Sequence, residues 1–190
     1  MGIIYIIENK WMPNVVKIGI TTDSVQARID AITSYSAPLG WKVSLQMKSE
    51  KFKIIEKFLH ILLSKHRIWR NREYFNIEPK RAITILKYAL QLCESVENNR
   101  KNPKVPLTVF APIDSILVFK EDDSKQCRIV DNNQVEYKGK THLSLSNLSA
   151  ILLSDQNAGG TDNFMYEGKM LKDIRNEYVK LMKKINRKQY

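Results

Sequence analysis

Five side chains early in the chain carry groups that can do chemistry: the phenol of Tyr5, the ammonium of Lys17, the guanidinium of Arg28, and the carboxylate and imidazole of Glu56 and His60. A phenol and an ammonium on neighbouring strands are costly to bury unless each has a partner or a task. The guanidinium of Arg28 can fork onto a phosphate bidentately, which a lysine cannot do. Glu56 and His60 stand four residues apart in sequence and so share one face of a helix. Hydrolysis of a phosphodiester needs charge neutralised on the non-bridging oxygens and a water held in line. One hard cation on a carboxylate serves both needs. The segment Arg67-Ile68-Trp69-Arg70-Asn71-Arg72-Glu73-Tyr74-Phe75 is the densest mixture of basic and aromatic side chains in the chain. Arginines beside aromatics suit phosphate contact and base stacking. Each feature has a plainer alternative: a solvated helix arginine at 28, and a surface Glu–His pair contributing about 0.2–0.5 kcal/mol. In the third segment the aromatics would be core and the arginines a charged rim. Phe75 is assigned to the core on that ground.

The elements that must hold these residues are legible as patterns. Short apolar runs at 2–8 and 14–20, with Met12-Pro13-Asn14 in the bend, predict an opening β-hairpin. Alternation puts Ile3 and Tyr5 on one face of the first strand and Ile4 and Ile6 on the other. A helix is predicted over 24–34, capped by Ser24 with Val25, Ile29 and Ile32 as its buried stripe. A strand at 41–48 follows, then helices at 52–66 and 79–96. Ile54, Ile55, Phe58, Leu59, Leu62 and Leu63 form the stripe of the former, and Pro79 suits the first turn of the latter. The polar stretch from Glu97 to Pro106 carries two prolines and reads as a linker. Beyond it lie strand-like runs at 115–120, 126–131 and 134–138, a helix at 145–153 and a long closing helix at 169–186. The expected class is therefore α/β (α+β), with a domain at 1–96, a linker at 97–109 and a second small α+β domain at 110–190.

Ile3-Ile4-Tyr5 and Lys17-Ile18-Gly19 resemble the two tripeptides of the GIY-YIG nuclease superfamily, Gly-Ile-Tyr and Tyr-Ile-Gly. The chain looks most like the phage-type branch, where lysine at the second tyrosine position is usual. The likeness covers about residues 1–92 and implies a three-stranded sheet with flanking helices. It also implies that Tyr5, Lys17, Arg28 and His60 are catalytic, that Gly19 belongs to the motif, and that Glu56 holds a single Mg²⁺ or Mn²⁺. Glu56-Lys57-Phe58-Leu59-His60 and the later Asn-Arg-Glu-aromatic-Phe run match that branch too, which makes Glu73 the second choice for metal ligand. Lysine, with a free-solution pKa of about 10.4, is a poor base. The base role therefore goes to Tyr5, its phenol expected to be acidified by the metal and by Lys17. Arg70 and Arg72 are expected on the DNA backbone, and the products expected are a 5′-phosphate and a 3′-hydroxyl.

Charge agrees with a polyanionic partner. The net charge is +11, and residues 1–102 hold 17 Lys and Arg against 9 Asp and Glu. A basic half attracts and steers a polyanion at low salt, although charge also serves plain solubility. With 43% hydrophobic and 27% charged residues the composition is that of a globular chain. Cys93 and Cys127 stand alone without ligand spacing, which fits a reducing compartment and not structural zinc. With no signal peptide or membrane-length apolar run, a cytoplasmic location is expected.

Residues 110–178 resemble the small domains appended to restriction enzymes and adenine methylases, through Gly139-Lys140 followed by Leu143-Ser144-Leu145-Ser146-Asn147-Leu148 and the ending Tyr166 to Arg175. That likeness implies a DNA reader, with Ser144, Ser146, Asn147 and His142 reaching phosphate or base edges. Ser144 as a cap of the following helix is an equal alternative. The function expected is a divalent-metal-dependent DNA endonuclease of restriction, defence or repair type. Two alternatives stay open: a DNA-binding protein without turnover, and an adaptor of a defence or repair system. DNA is the expected partner, with no organic cofactor and no membrane. A homo-oligomer is left open, as is the recognition sequence.

Overall fold

The computed structural model describes residues 1–34 and 40–187. Two compact units emerge, Met1–Asn102 with the stretch from Leu181 onward, and Pro103–Lys180. The architecture is mixed α/β with antiparallel sheets, the class that the patterning predicts.

In the first unit β1 (Gly2–Asn9) and β2 (Met12–Thr21) form the predicted hairpin, and β3 (Trp41–Ser49) pairs with the far edge of β1. A fourth strand, β4 (Tyr74–Asn76), extends the expected three by pairing with β2, so the order is β3-β1-β2-β4. Three residues are too few to show a period in sequence. β4 is recruited by register, Phe75 opposite Val16 and Tyr74 opposite Lys17.

Both faces of the sheet are covered. Tyr5 and Ile7 form one cluster with Val25 and Ile29 of α1 (Val25–Ser34) and with Trp41. Alternation leaves Ile4, Ile6, Val16 and Ile18 for the opposite face, all fully buried. There α2 (Phe52–Leu62) and α3 (Pro79–Glu97) pack on β1 and β2. Ser24 caps α1 as expected, its Oγ accepting from the Ala27 amide at 3.1 Å. The helix expected over 52–66 stops at Leu62. Ser64–His66 continue as a tighter 3₁₀ turn, just past the last residue of the apolar stripe, Leu63.

The second unit carries a six-stranded sheet in the order β10-β9-β5-β6-β7-β8. The three predicted runs appear as β5 (Ile116–Phe119), β6 (Gln126–Ile129) and β7 (Val135–Tyr137). Three very short strands complete it: β8 (Lys140–His142), β9 (Phe164–Tyr166) and β10 (Lys169–Met170). Two of them hang on two-residue turns with positive φ at both positions, Lys138-Gly139 (51° and 72°) and Glu167-Gly168 (48° and 75°). This primed geometry follows the strand twist, and glycine takes it without steric cost. The remaining helices are α4 (Leu107–Phe110), α5 (Leu145–Leu153) and α6 (Leu171–Arg187).

Candidate active site

Register builds the site. Tyr5 of β1 lies opposite Gly19 of β2, and Lys17 lies opposite both Ile7 of β1 and Tyr74 of β4. Tyr5, Lys17, Gly19 and Tyr74 therefore share one face of the sheet. Gly19 is there because nothing larger fits: a Cβ on it would stand 2.7 Å from the Tyr5 hydroxyl oxygen and 2.9 Å from the ring carbon that bears it. The phenol lies across the neighbouring backbone.

Around that face an open cleft of about 770 Å³ is lined by Tyr5, Lys17, Arg28, Glu56, Arg72, Glu73 and Tyr74, with Ile20, Ala31 and Ile32. Arg28 reaches it from α1, Glu56 from α2, and Arg72 and Glu73 from the segment that leads into β4. Every member of the set Tyr5, Lys17, Arg28 and Glu56 is on its wall. So is Glu73, the second choice for ligand.

Charges inside the cleft are tightly coupled. The ammonium of Lys17 donates to Glu73 Oε2, and it also lies 5.5 Å from the centre of the Tyr74 ring. Burial, then the neighbouring Glu73, pushes the Glu56 carboxyl up to about 7, only partly offset by Lys17. Burial and again Glu73 push the Tyr5 phenol up to about 12, against the pull of Arg28. The expectation that Lys17 acidifies this phenol is thus corrected. Lys17 is engaged with Glu73, and the protein alone holds Tyr5 protonated at neutral pH.

His60 is not among the residues that line the cleft. Its Nε2 stands 3.1 Å from the Ile18 carbonyl oxygen and its ring 5.3 Å from that of Phe75. A carbonyl can only accept, so Nε2 carries the proton. Burial lowers its pKa, which favours that neutral ring. His60 fixes β2 from behind, and the Ile18 amide donates in turn to the Glu73 carbonyl at 3.1 Å.

Arg67 is a positioning residue that the sequence reading passed over. Its guanidinium stands 4.9 Å from the centre of the Phe75 ring and donates to the Arg72 carbonyl at 2.6 Å. The loop Ile68–Glu73 is thereby closed on itself, helped by Ile68 N–H to Tyr74 O and Arg72 N–H to Trp69 O. Tyr74 was also missed as a cleft residue. Its place follows from the β2–β4 register: with Phe75 opposite Val16 and buried, alternation turns Tyr74 to the face of Lys17. Arg72 lines the cleft and Arg70 does not.

The donor set fits a hard cation. Glu56 is raised by burial and then by the charge of Glu73 nearby, and the single ammonium of Lys17 offsets this only in part. Among the described residues no group of three or more His, Cys, Asp or Glu forms a closed cage. Two carboxylates with water or phosphate completing the shell is the manner in which Mg²⁺ is held.

In the second unit the residues expected to read DNA are engaged internally. Ser144 caps α5, its Oγ accepting from the Asn147 amide at 3.1 Å, so the cap alternative is the one seen. Ser146 Oγ accepts from the Gly160 amide at 3.1 Å, and the Asn147 side-chain oxygen lies 3.4 Å from Nδ1 of His142. Among the described residues no helix is long and apolar enough to cross a membrane.

Comparison with curated proteins and with solved structures gave no match. Residues 2–89, the stretch that holds every residue lining the cleft, match the family model of the T5orf172 domain.

Proposed function

We propose that the protein is a divalent-metal-dependent DNA endonuclease of the GIY-YIG type, with the cleft of the first unit as its active site. One observation carries the reading: Tyr5, Lys17, Arg28, Glu56 and Glu73, from five separate segments, line a single cleft. The match to the T5orf172 domain, which is phage-associated and found in nuclease contexts, supports it. The net charge of +11 agrees.

Arg28, exposed at the rim and without an ion pair among the described residues, forks onto the scissile phosphate. A Mg²⁺ or Mn²⁺ held by Glu56 and Glu73 supplies, when bound, neutralising charge for the phosphate and an activated water. Lys17 keeps Glu73 in place and adds positive charge beside the phosphate. Tyr5 works as a neutral hydroxyl. It donates and accepts at once, so it orients the attacking water and relays the released proton to the solvent of the cleft without first ionising. Water adds to phosphorus, the P–O3′ bond breaks, and the departing O3′ takes a proton from the water of the cleft, balancing the one Tyr5 passes out, to leave a 3′-hydroxyl and a 5′-phosphate.

The test is nicking of supercoiled plasmid, unmodified and methylated, with and without magnesium. Wild type should nick only with the cation. Glu56→Gln keeps the shape and removes the charge, so cleavage should fall by orders of magnitude while DNA binding survives. Near-normal cutting by that variant would remove Glu56 from the ligand set.

A further inference from the structure

Beside the cleft, and sharing Arg72 and Tyr74 with it, a shallow slot of about 490 Å³ with almost wholly apolar walls is formed by Trp69, Arg70, Asn71, Arg72 and Tyr74. We infer that this slot takes one unpaired nucleobase of the DNA strand being cut, stacked on Trp69, so that the preferred substrate carries an unpaired nucleotide next to the scissile phosphate. The inference rests on the nuclease reading and adds a substrate class to it.

Three observations point to this occupant. Trp69 is 56% exposed, so a large flat apolar surface is open to solvent at the slot. It meets Tyr74 edge-on, with centroids 5.9 Å apart and planes at 87°. Tyr74 thus stands perpendicular to the indole at one side of the slot, and the exposed part of the indole offers a flat surface to a further ring, an arrangement that aromatic pairs favour. The charge is complementary: Arg70 and Arg72 flank the slot, and neither makes an ion pair among the described residues. Those guanidiniums suit the phosphates on either side of a single base.

Continuity with the cleft decides between a base and an unrelated apolar ligand. Tyr74 lies between the slot and Lys17, whose ammonium stands 5.5 Å from the centre of its ring. A strand that places one phosphate among Arg28, Lys17 and Glu56 thus brings its neighbouring nucleotide to Trp69. In a paired duplex that base is held in its stack, and extracting it costs a few kcal/mol. A bulge, flap or gap avoids most of that cost. The loop is also preformed, closed by Arg67 onto the Arg72 carbonyl and by the Trp69–Arg72 backbone bond, so little ordering is needed on binding.

The experiment measures binding of the full chain, by fluorescence anisotropy without divalent cation and at fixed salt. The probes are a short DNA duplex with one unpaired 5-iodo-2′-deoxyuridine and the same duplex with that base paired to adenine. Wild type should bind the unpaired form about tenfold more tightly, Trp69→Ala should lose that preference, and Trp69→Phe should keep most of it. Because Trp69 is exposed, all three proteins should fold alike, checked by thermal melting. Irradiation of the wild-type complex should cross-link the iodinated base to Trp69, mapped by mass spectrometry. Equal affinity for both duplexes, an undiminished preference in Trp69→Ala, or a cross-link confined to other residues would each overturn the slot. Nicking with magnesium is read on the same duplexes. Cutting without unpaired-base preference overturns the slot and leaves the nuclease reading standing. A Trp69-dependent preference with no cutting does the reverse.

Discussion

The hydroxyl of Tyr5 occupies the space that any side chain on Gly19 would need, 2.7 Å from where its Cβ would stand. Gly19→Ala must push the phenol out of the cleft or force β1 and β2 apart. A cost of about 1–3 kcal/mol in stability is expected, typical of overpacking a closed site. Nicking should drop at least as far as in Tyr5→Phe. Thermal melting and single-turnover nicking check both, and normal cutting by Gly19→Ala would mean that the phenol position is not needed.

A pH dependence of stability follows from the burial of Glu56 and, after that, from Glu73 beside it. Glu56 is raised from 4.5 to about 7 in the fold, so its protonated form is the favoured one there. Its contribution to stability is complete below about pH 4.5 and is lost as pH rises through about 7. Partial exposure screens the effect to an order of 1–2 kcal/mol. Metal-free protein should therefore melt lower at pH 8 than at pH 5, and Glu56→Gln should flatten that slope. Magnesium should raise the pH 8 melting temperature of wild type much more than that of the variant. A wild-type slope retained in Glu56→Gln would place the titration elsewhere.

His60 and Glu56 should separate cleanly although both lie on α2. His60→Gln loses the ring against Phe75 and disturbs the bond to Ile18, so melting should fall by the equivalent of about 1–2 kcal/mol. Nicking per folded molecule should stay within several-fold of wild type. Loss of activity without loss of stability would return His60 to the catalytic set.

Ser144 offers a test of the second unit. Ser144→Ala removes the cap of α5 and should destabilise by about 1 kcal/mol. DNA affinity should not change. Weaker binding at unchanged stability would mean that the hydroxyl meets DNA after all.

Most of the first unit was legible because its signals are local. Ser24, the stripe of α2 and Pro79 mark their helices without help from the rest of the chain. The cleft residues were found through resemblance, since Arg28 and Glu56 taken singly look like solvated surface charges. What escaped depends on register. β4 exists because Phe75 meets Val16, and nothing in three residues announces that pairing. Tyr5 was assigned an acidified phenol because only charge was weighed, whereas burial and Glu73 dominate in the fold. In the second unit, Ser146 was read as a donor to DNA. Its partner, the Gly160 amide, is fourteen residues away in sequence and could not be foreseen from spacing.

The self-closure of the loop at Arg67 bears on how such a protein can change over generations. The guanidinium bonds a backbone carbonyl, a group present whatever side chain Arg72 is replaced by, and it rests on Phe75, which β2 holds. Positions 69 to 71 can drift without loosening the frame that carries Glu73 and Tyr74. Under the proposed nuclease reading, descendants of one cleft would change the DNA they meet by altering a tip of three residues while the frame of the cleft stays the same.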